Sequence, residues 1–385
     1  MRLLIDYRAA LRQPSGVGEY ARQLVSGLLA LKRETALPLD VTIFSSSWKD
    51  RLALPEGMNG VTVIDQRIPV SLLNFTWHRF GWPVVEALTD GLYDVVHSLH
   101  PLLLPSRWAA QVITIHDLYF LAHPERTRAE IRRDYAPLAQ VHAERADCIV
   151  VPSHFTAREV ERHFRIGADR IVICPPSAPP WRPRSAAPGD GCILFVGTLE
   201  PRKNVGTLLD AYARLADRTP SGGAGAIRPL PELVLAGAAQ PEASTWLDRL
   251  KHPPLVGRVR HIGYVDPSKR RQIYEGALML VQPSFEEGFG LPALEAMAAG
   301  VPVVAANRGA APEVVGEAGL LVDPEDPVQM AAAISRLLDE PGLAAACTKA
   351  GVARAARFGP SAMAERALKA YGLAIDAHAR RSPLI

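Results

Sequence analysis

The feature that most limits what this chain can become is a recurring one: short runs of aliphatic and β-branched residues, apolar on both faces, separated by stretches long enough for a helix. In the first half these runs cover 3–6, 41–45, 61–65, 95–97, 112–116, 148–151 and 171–174. Strands buried on both faces belong to parallel sheets covered by helices above and below, so the spacing predicts a doubly wound α/β fold. Residues 174–190 then hold six prolines in 17 positions, which suits neither a helix interior nor a central strand and predicts a domain boundary. Beyond it the pattern restarts, with strands over 192–196, 233–236, 259–262, 279–282, 301–305 and 320–322 and helices from about 204 and over 292–299. Two α/β domains are expected: 1–175 and 191–360, joined by a proline-rich linker over 176–190. The tail 361–385 spaces Met363, Ala367, Ala370, Tyr371 and Ala374 at the helical period, so its helix has an apolar face to bury. A Gly/Pro-rich patch over 219–231 reads as a surface loop.

Composition removes several function classes. With 48% hydrophobic and 22% charged residues, the 385-residue chain can fill two cores and is no disordered polyelectrolyte. The net charge of +3 is too slight for nucleic-acid binding through bulk electrostatics. No apolar run reaches the length of a spanning helix, and the opening Met1-Arg2-Leu3-Leu4-Ile5-Asp6 lacks the form of an export signal. Cys148, Cys174, Cys192 and Cys347 show no zinc-type spacing and read as buried thiols of a reducing cytoplasm.

The densest chemistry lies in Pro283-Ser-Phe-Glu-Glu287-Gly288-Phe289-Gly290-Leu291-Pro292-Ala-Leu-Glu295, which follows a strand. Pro292 suits a first helical turn and Gly300 a left-handed stop. Gly288 and Gly290 thus fall in the loop at the carboxyl end of a parallel strand, where open α/β sheets bind ligands and where a helix start favours an anion. Glu287 and Glu295, eight residues apart, can reach two parts of one ligand, and carboxylates suit paired sugar hydroxyls. The ordinary alternative is a solvated loop acid and a first-turn acid near the helix dipole.

This stretch resembles the E-x7-E signature of retaining glycosyltransferases of family 4, which have the GT-B architecture of two Rossmann-like domains facing each other across a cleft. The resemblance runs over essentially the whole chain. It implies that Glu287 contacts the donor sugar and Glu295 the ribose, while the backbone around Gly288, Phe289, Gly290 and Leu291 faces sugar and diphosphate. It also implies an acceptor-side first domain, a nucleotide-sugar-binding second domain, and a last helix that crosses back onto the first.

Other segments fit the same reading. After a strand and before a helix, Gly197-Thr-Leu-Glu-Pro-Arg202-Lys203 places two adjacent cations where a diphosphate would neutralise them; without an anion, cations sit poorly there. The resemblance makes these the donor-phosphate loop, and makes Tyr264 and Val265 part of the turn that cradles the nucleobase. Gly16 and Gly18 allow close backbone approach, but Ala21 stands where a dinucleotide fingerprint needs its third glycine, so NAD is disfavoured. The resemblance implies acceptor or diphosphate contacts for this pair. His116, expected at a strand end, could polarise a hydroxyl or be a satisfied structural histidine; the resemblance assigns it to the donor-sugar pocket, with Asp117 in support.

No D-x-D triplet occurs, so no metal and no cofactor is expected: Arg202, Lys203 and a helix dipole would do the work of Mg²⁺. Arginines 126, 128, 132 and 133 and the aromatics Phe75, Trp77, Phe80 and Trp82 would suit anionic headgroups, which predicts peripheral membrane contact if the acceptor is lipid-linked. The wording of 114–118 and 196–204 is most similar to mannosyltransferases of bacterial surface polysaccharide assembly. That implies retaining transfer of mannose from GDP-mannose to a glycan or lipid-linked saccharide. The rivals are a UDP-sugar transferase for glucose or N-acetylglucosamine, a UDP-sugar 2-epimerase, which would bring solvent deuterium into the sugar, and a non-catalytic sugar-nucleotide sensor.

Overall fold

The computed structural model describes residues 1–11, 16–54, 58–122, 129–217 and 229–381, with the backbone alone over 129–134. They fall into two compact units, Met1–Ser177 with Phe358–Ile385, and Ala178–Arg357.

The first unit holds β1 (Arg2–Asp6), β2 (Asp40–Ser46), β3 (Thr62–Gln66), β4 (Val95–Ser98), β5 (Ala110–Thr114), β6 (Cys148–Val151) and β7 (Ile171–Ile173). All pair in parallel, in the order β3-β2-β1-β4-β5-β6-β7. Side chains alternate across the sheet, and both faces are apolar. Leu3, Ile5, Val41, Ile43 and Val95 meet Tyr20, Leu24 and Leu28 of the helix Gly16–Thr35, together with Met363, Ala367, Ala370, Tyr371 and Ala374 of the helix Pro360–Arg381. Leu4, Phe44 and Val96 meet Leu73 and Trp77 of the helix Val70–Phe80 on the other face. The last helix is also fixed by polar bonds. Buried His97 of β4 places Nδ1 2.9 Å from the Tyr371 hydroxyl and Nε2 2.8 Å from Thr114 Oγ1, while Arg381 pairs with buried Asp147. The strand expected over 112–116 stops at Thr114, because Asp117 Oδ1 accepts the Tyr119 N–H at 3.2 Å and turns the chain into the helix Tyr119–Ala122.

The second unit holds β8 (Cys192–Val196), β9 (Leu233–Ala236), β10 (Val259–Gly263), β11 (Ala277–Gln282), β12 (Val303–Ala306) and β13 (Leu320–Val322), again parallel, in the order β10-β9-β8-β11-β12-β13. Ile193, Phe195, Leu235 and Val281 pack against Leu208 and Tyr212 of the helix Val205–Ala216 and Met330 and Ile334 of the helix Pro327–Asp339. The latter helix is capped by Asp326, whose side chain accepts from the N–H groups of Val328 and Gln329. The strand expected from 301 begins at Val303, since Pro302 offers no N–H to a ladder. The division between the units falls inside the proline-rich segment, after Ser177, and the rest of that segment packs on the second unit: the Arg184 N–H bonds Ala299 O at 3.1 Å, its Nε bonds Gly300 O at 3.1 Å, and Trp181 packs on Tyr274.

Candidate active site

Each sheet reverses its order once, between β1 and β4 and between β8 and β11, and the carboxyl ends at such a reversal are where doubly wound folds bind ligands. In the second unit the reversal brings Arg202 and Lys203, which follow β8, against the loop that follows β11. The 3-10 turn Pro201–Lys203 ends at Asn204, held in the left-handed region at φ 55°. The Asn204 amide donates to Pro283 O at 3.0 Å and Pro324 O at 2.7 Å, and its carbonyl oxygen accepts from Thr207 at 2.7 Å, so one side chain pins three segments. The Phe285 N–H adds a bond to Arg202 O at 2.8 Å.

Glu287 is buried in the middle of this arrangement. Its Oε1 accepts from Lys203 Nζ at 2.6 Å, Ser284 Oγ at 2.7 Å and Gln282 Nε2 at 3.0 Å, while its Oε2 lies 3.5 Å from Arg202 Nη1. Arg202 is further held by Glu200, Nε to Oε1 at 2.6 Å. Burial pushes the Glu287 pKa up, but the charges of Lys203 and then Arg202, with the bonds from Lys203 and Ser284, outweigh it and bring the carboxyl down to about 2. Burial and the neighbouring Arg202 lower that of Lys203. Gly309 sits against this loop at φ 61°, where a Cβ would lie 2.9 Å from both the nitrogen and the oxygen of Glu287. Only glycine fits so close. Gly288, Phe289 and Gly290 are buried in the loop and Leu291 is half-buried at the start of the helix Leu291–Ala298; Gly290, at φ 104°, forms that helix's N-cap.

Glu295 belongs to a second cluster. It is buried, its Oε1 paired with Arg270 Nη1 at 2.7 Å and its Oε2 accepting from the Tyr274 hydroxyl at 2.8 Å. Both donors come one turn apart from the helix Pro267–Glu275. A ribose at Glu295 would have to share the carboxylate with both donors. At the neighbouring strand ends, a Cβ on Gly237 would fall on Gly197 O, so these two backbones touch. His261 Nε2 lies 2.8 Å from Gly237 O, followed by exposed Tyr264 and half-buried Val265.

The remaining sequence-predicted residues lie in the first unit. His116 stands just past β5, its Nε2 3.2 Å from Leu99 O and its ring edge-on to Tyr20 at 5.0 Å; burial drives its pKa down to about 4, so the ring is neutral at pH 7. Asp117 shapes the turn described above. Gly16 is exposed, whereas Gly18 is buried, and a Cβ there would meet Ala9 O at 2.8 Å, so helix packing already requires that glycine. Arginines 126 and 128 lie outside the described residues, as do the side chains of 132 and 133 and most of the Gly/Pro-rich patch. Sequence reasoning missed a buried group at the β1/β4 reversal. There Asp6 is bracketed by Arg8, through Nε at 2.8 Å and Nη2 at 2.7 Å, and by His100 Nε2 at 3.1 Å. It also missed Gln282, Ser284, Asn204, Arg270 and Tyr274. Of these, only Gln282 carried a signal, as the one polar residue in the strand Ala-Leu-Met-Leu-Val-Gln.

The arrangement of cations and a buried carboxylate suits a ligand with a diphosphate and several hydroxyls. In comparison with known proteins, residues 14–180 match the family described as Glycosyltransferase Family 4 and residues 179–354 that described as Glycosyl transferases group 1. The chain is 34% identical over 377 residues to the O-antigen chain mannosyltransferase B of Escherichia coli, covering 93% of this chain and 96% of that one. It is 30% identical to the D-inositol 3-phosphate glycosyltransferase of Acidothermus cellulolyticus, covering 89% and 82%. Its fold is similar to that of the sucrose-phosphate synthase of Thermosynechococcus elongatus, with a TM-score of 0.74 at 24% identity over 97% and 98% of the two chains. Two doubly wound units, an E-x7-E loop at a sheet reversal and relatives matched along nearly their whole length lead to one conclusion: the chain is a glycosyltransferase of family 4, with the GT-B fold.

Proposed function

We propose that this enzyme transfers mannose from GDP-mannose, with retention at the anomeric carbon, to a glycan or lipid-linked saccharide of a bacterial surface polysaccharide. The observation that carries the donor site is the convergence of Lys203, Arg202 and Glu287 at the β8/β11 reversal; the choice of mannose is supported by the mannosyltransferase relative. In this reading Arg202 and Lys203 neutralise the diphosphate and stabilise it as it leaves, so transfer needs no bound metal or cofactor. Glu287 accepts a hydrogen bond from a hydroxyl of the sugar. Reaction occurs on the face the diphosphate leaves, whose phosphate oxygen takes the proton of the attacking acceptor hydroxyl. His116, neutral and fixed, is a hydroxyl-polarising group of the first unit.

A thermal-shift panel of GDP, UDP, ADP and their sugar conjugates, followed by transfer assays in EDTA, tests this. Stabilisation by GDP and GDP-mannose, lost in Arg202→Ala, with transfer undiminished by EDTA, is the expected result. Preference for UDP would overturn the mannose assignment, and no response to any nucleotide would overturn the donor site.

No described helix is long and apolar enough to cross a membrane. Peripheral contact is supported by the outward face of the helix Val70–Phe80, where Leu72, Phe75 and Phe80, with Trp82 just beyond, are all exposed beside Arg79; Trp77 is buried and takes no part. Flotation with anionic liposomes should fall for a Phe75→Ser, Phe80→Ser, Trp82→Ser variant, and unchanged flotation would sink the contact.

A further inference from the structure

The loading of the Glu287 carboxylate is uneven. Three donors converge on Oε1, from Lys203 at 2.6 Å, Ser284 at 2.7 Å and Gln282 at 3.0 Å, whereas the donor recorded at Oε2 is Arg202 Nη1 at 3.5 Å. Gln282 achieves this at a cost. Its own carbonyl oxygen is buried with no hydrogen-bond partner, at the end of a strand that is otherwise apolar, where an apolar side chain would leave nothing unsatisfied. Its amide N–H is what the glutamine contributes. Ser284 is likewise buried and spends its hydroxyl on the same oxygen.

We infer that Gln282 and Ser284 are positioning residues for Glu287: by saturating Oε1 they reserve Oε2 as the oxygen that takes the hydroxyl of the donor sugar. The inference rests on the reading of this site as a donor pocket. It also explains why a carboxylate already paired with a lysine needs two neutral donors. A diphosphate beside Lys203 competes with Glu287 for the ammonium, and a charge-assisted bond to phosphate can draw the flexible lysine away. Gln282 ends a strand and Ser284 follows two residues later, so neither can follow the phosphate. Glu287 keeps its orientation while its cation changes partner.

The test uses Gln282→Met and Ser284→Ala in the full chain, with Kd for GDP and for GDP-mannose, kcat, and Tm measured for each. Gln282→Met removes the donor and the unpartnered carbonyl together, so its Tm should hold or rise. Its Kd for GDP should stay within about twofold, while the ratio of the GDP-mannose Kd to the GDP Kd rises about tenfold, the scale of one hydrogen bond to a charged group. kcat should fall by roughly 10- to 100-fold, as expected of a displaced catalytic carboxylate. Ser284→Ala should behave alike, and the double variant should lose less than the product of the two because both act through one carboxylate. The acid limb of kcat should move to higher pH, since the Ser284 bond helps to hold Glu287 ionised. Parallel loss of GDP and GDP-mannose binding would make the pair merely structural, and an unchanged ratio with wild-type kcat would overturn the inference alone. Wild-type protein that binds neither nucleotide nor conjugate would overturn the donor-pocket reading and this inference with it.

Discussion

The two sheet reversals invite comparison, because each carries a buried carboxylate facing a cation and the two carboxylates are loaded differently. At the β1/β4 reversal Asp6 and Arg8 satisfy each other. Both Asp6 oxygens are taken by the guanidinium, a further nitrogen of Arg8 reaches Asn74 at 2.8 Å, and the Arg8 Cζ lies 4.7 Å from the centre of the Trp77 ring. Arg8 holds the Asp6 carboxyl well below the usual range despite burial. At the β8/β11 reversal one oxygen of Glu287 is crowded and the other is not, and Arg202 keeps 23% of its side chain exposed against 7% for Arg8. On the proposed donor-site reading, the closed pair braces the fold and the unevenly loaded one offers an atom to a substrate.

Acid should separate the two units most sharply. Burial lowers the pKa of His97 to about 3 and those of His116 and His142 to about 4, against an ordinary 6.5. The unfolded chain therefore binds these protons more readily, so their contribution is full above pH 6.5 and is lost as pH falls towards 4 for His116 and His142 and towards 3 for His97. Glu287 works in a lower window, its contribution full above 4.5 and lost as pH falls towards 2. Hydrogen exchange at pH 5 against pH 7 should show protection lost in Met1–Ser177 before Ala178–Arg357, and equal loss in both would break the comparison.

Next in size, Asp6→Ala leaves Arg8 buried and unpaired and should cost about 3–5 kcal/mol of unfolding free energy in urea, while the folded fraction keeps its affinity for GDP. Loss of activity without loss of stability would make the first reversal a site after all. Glu287→Gln should combine both effects, lowering kcat by about 10²–10³-fold, or roughly 3–4 kcal/mol of barrier, and lowering Tm as well, because Lys203 is left buried without its carboxylate. The smallest contrast is between glycines. Gly309→Ala and Gly18→Ala should each cost on the order of 1–3 kcal/mol in denaturant unfolding, but only Gly309→Ala, which presses on the Glu287 backbone, should also lower kcat.

Much of this was legible in the sequence because it is local. Apolar periodicity marks both sheets, and the strand–glycine–proline context of 282–292 marks the loop. What stayed hidden depends on sheet order. Lys203 and Glu287 are 84 residues apart, and each was readable by itself as a phosphate or sugar partner; their direct contact follows from β8 lying beside β11. Asp6 and His100, 94 residues apart, meet for the same reason at β1 and β4. The proline-rich segment misleads differently: composition excludes regular structure there but says nothing of Arg184 and Trp181, whose contacts join it to the second unit.

The first unit is discontinuous, closed by a helix that follows the entire second unit. During synthesis His97 waits for Tyr371, 274 residues downstream, and the cluster of Leu24 and Leu28 with the sheet stays incomplete until Met363 and Ala367 emerge. Everything between Ala178 and Arg357 is available beforehand. The ribosome thus finishes the inserted unit while the discontinuous one still lacks its last helix, so the order of emergence leaves an apolar flank of the first unit uncovered until Pro360–Arg381 is translated.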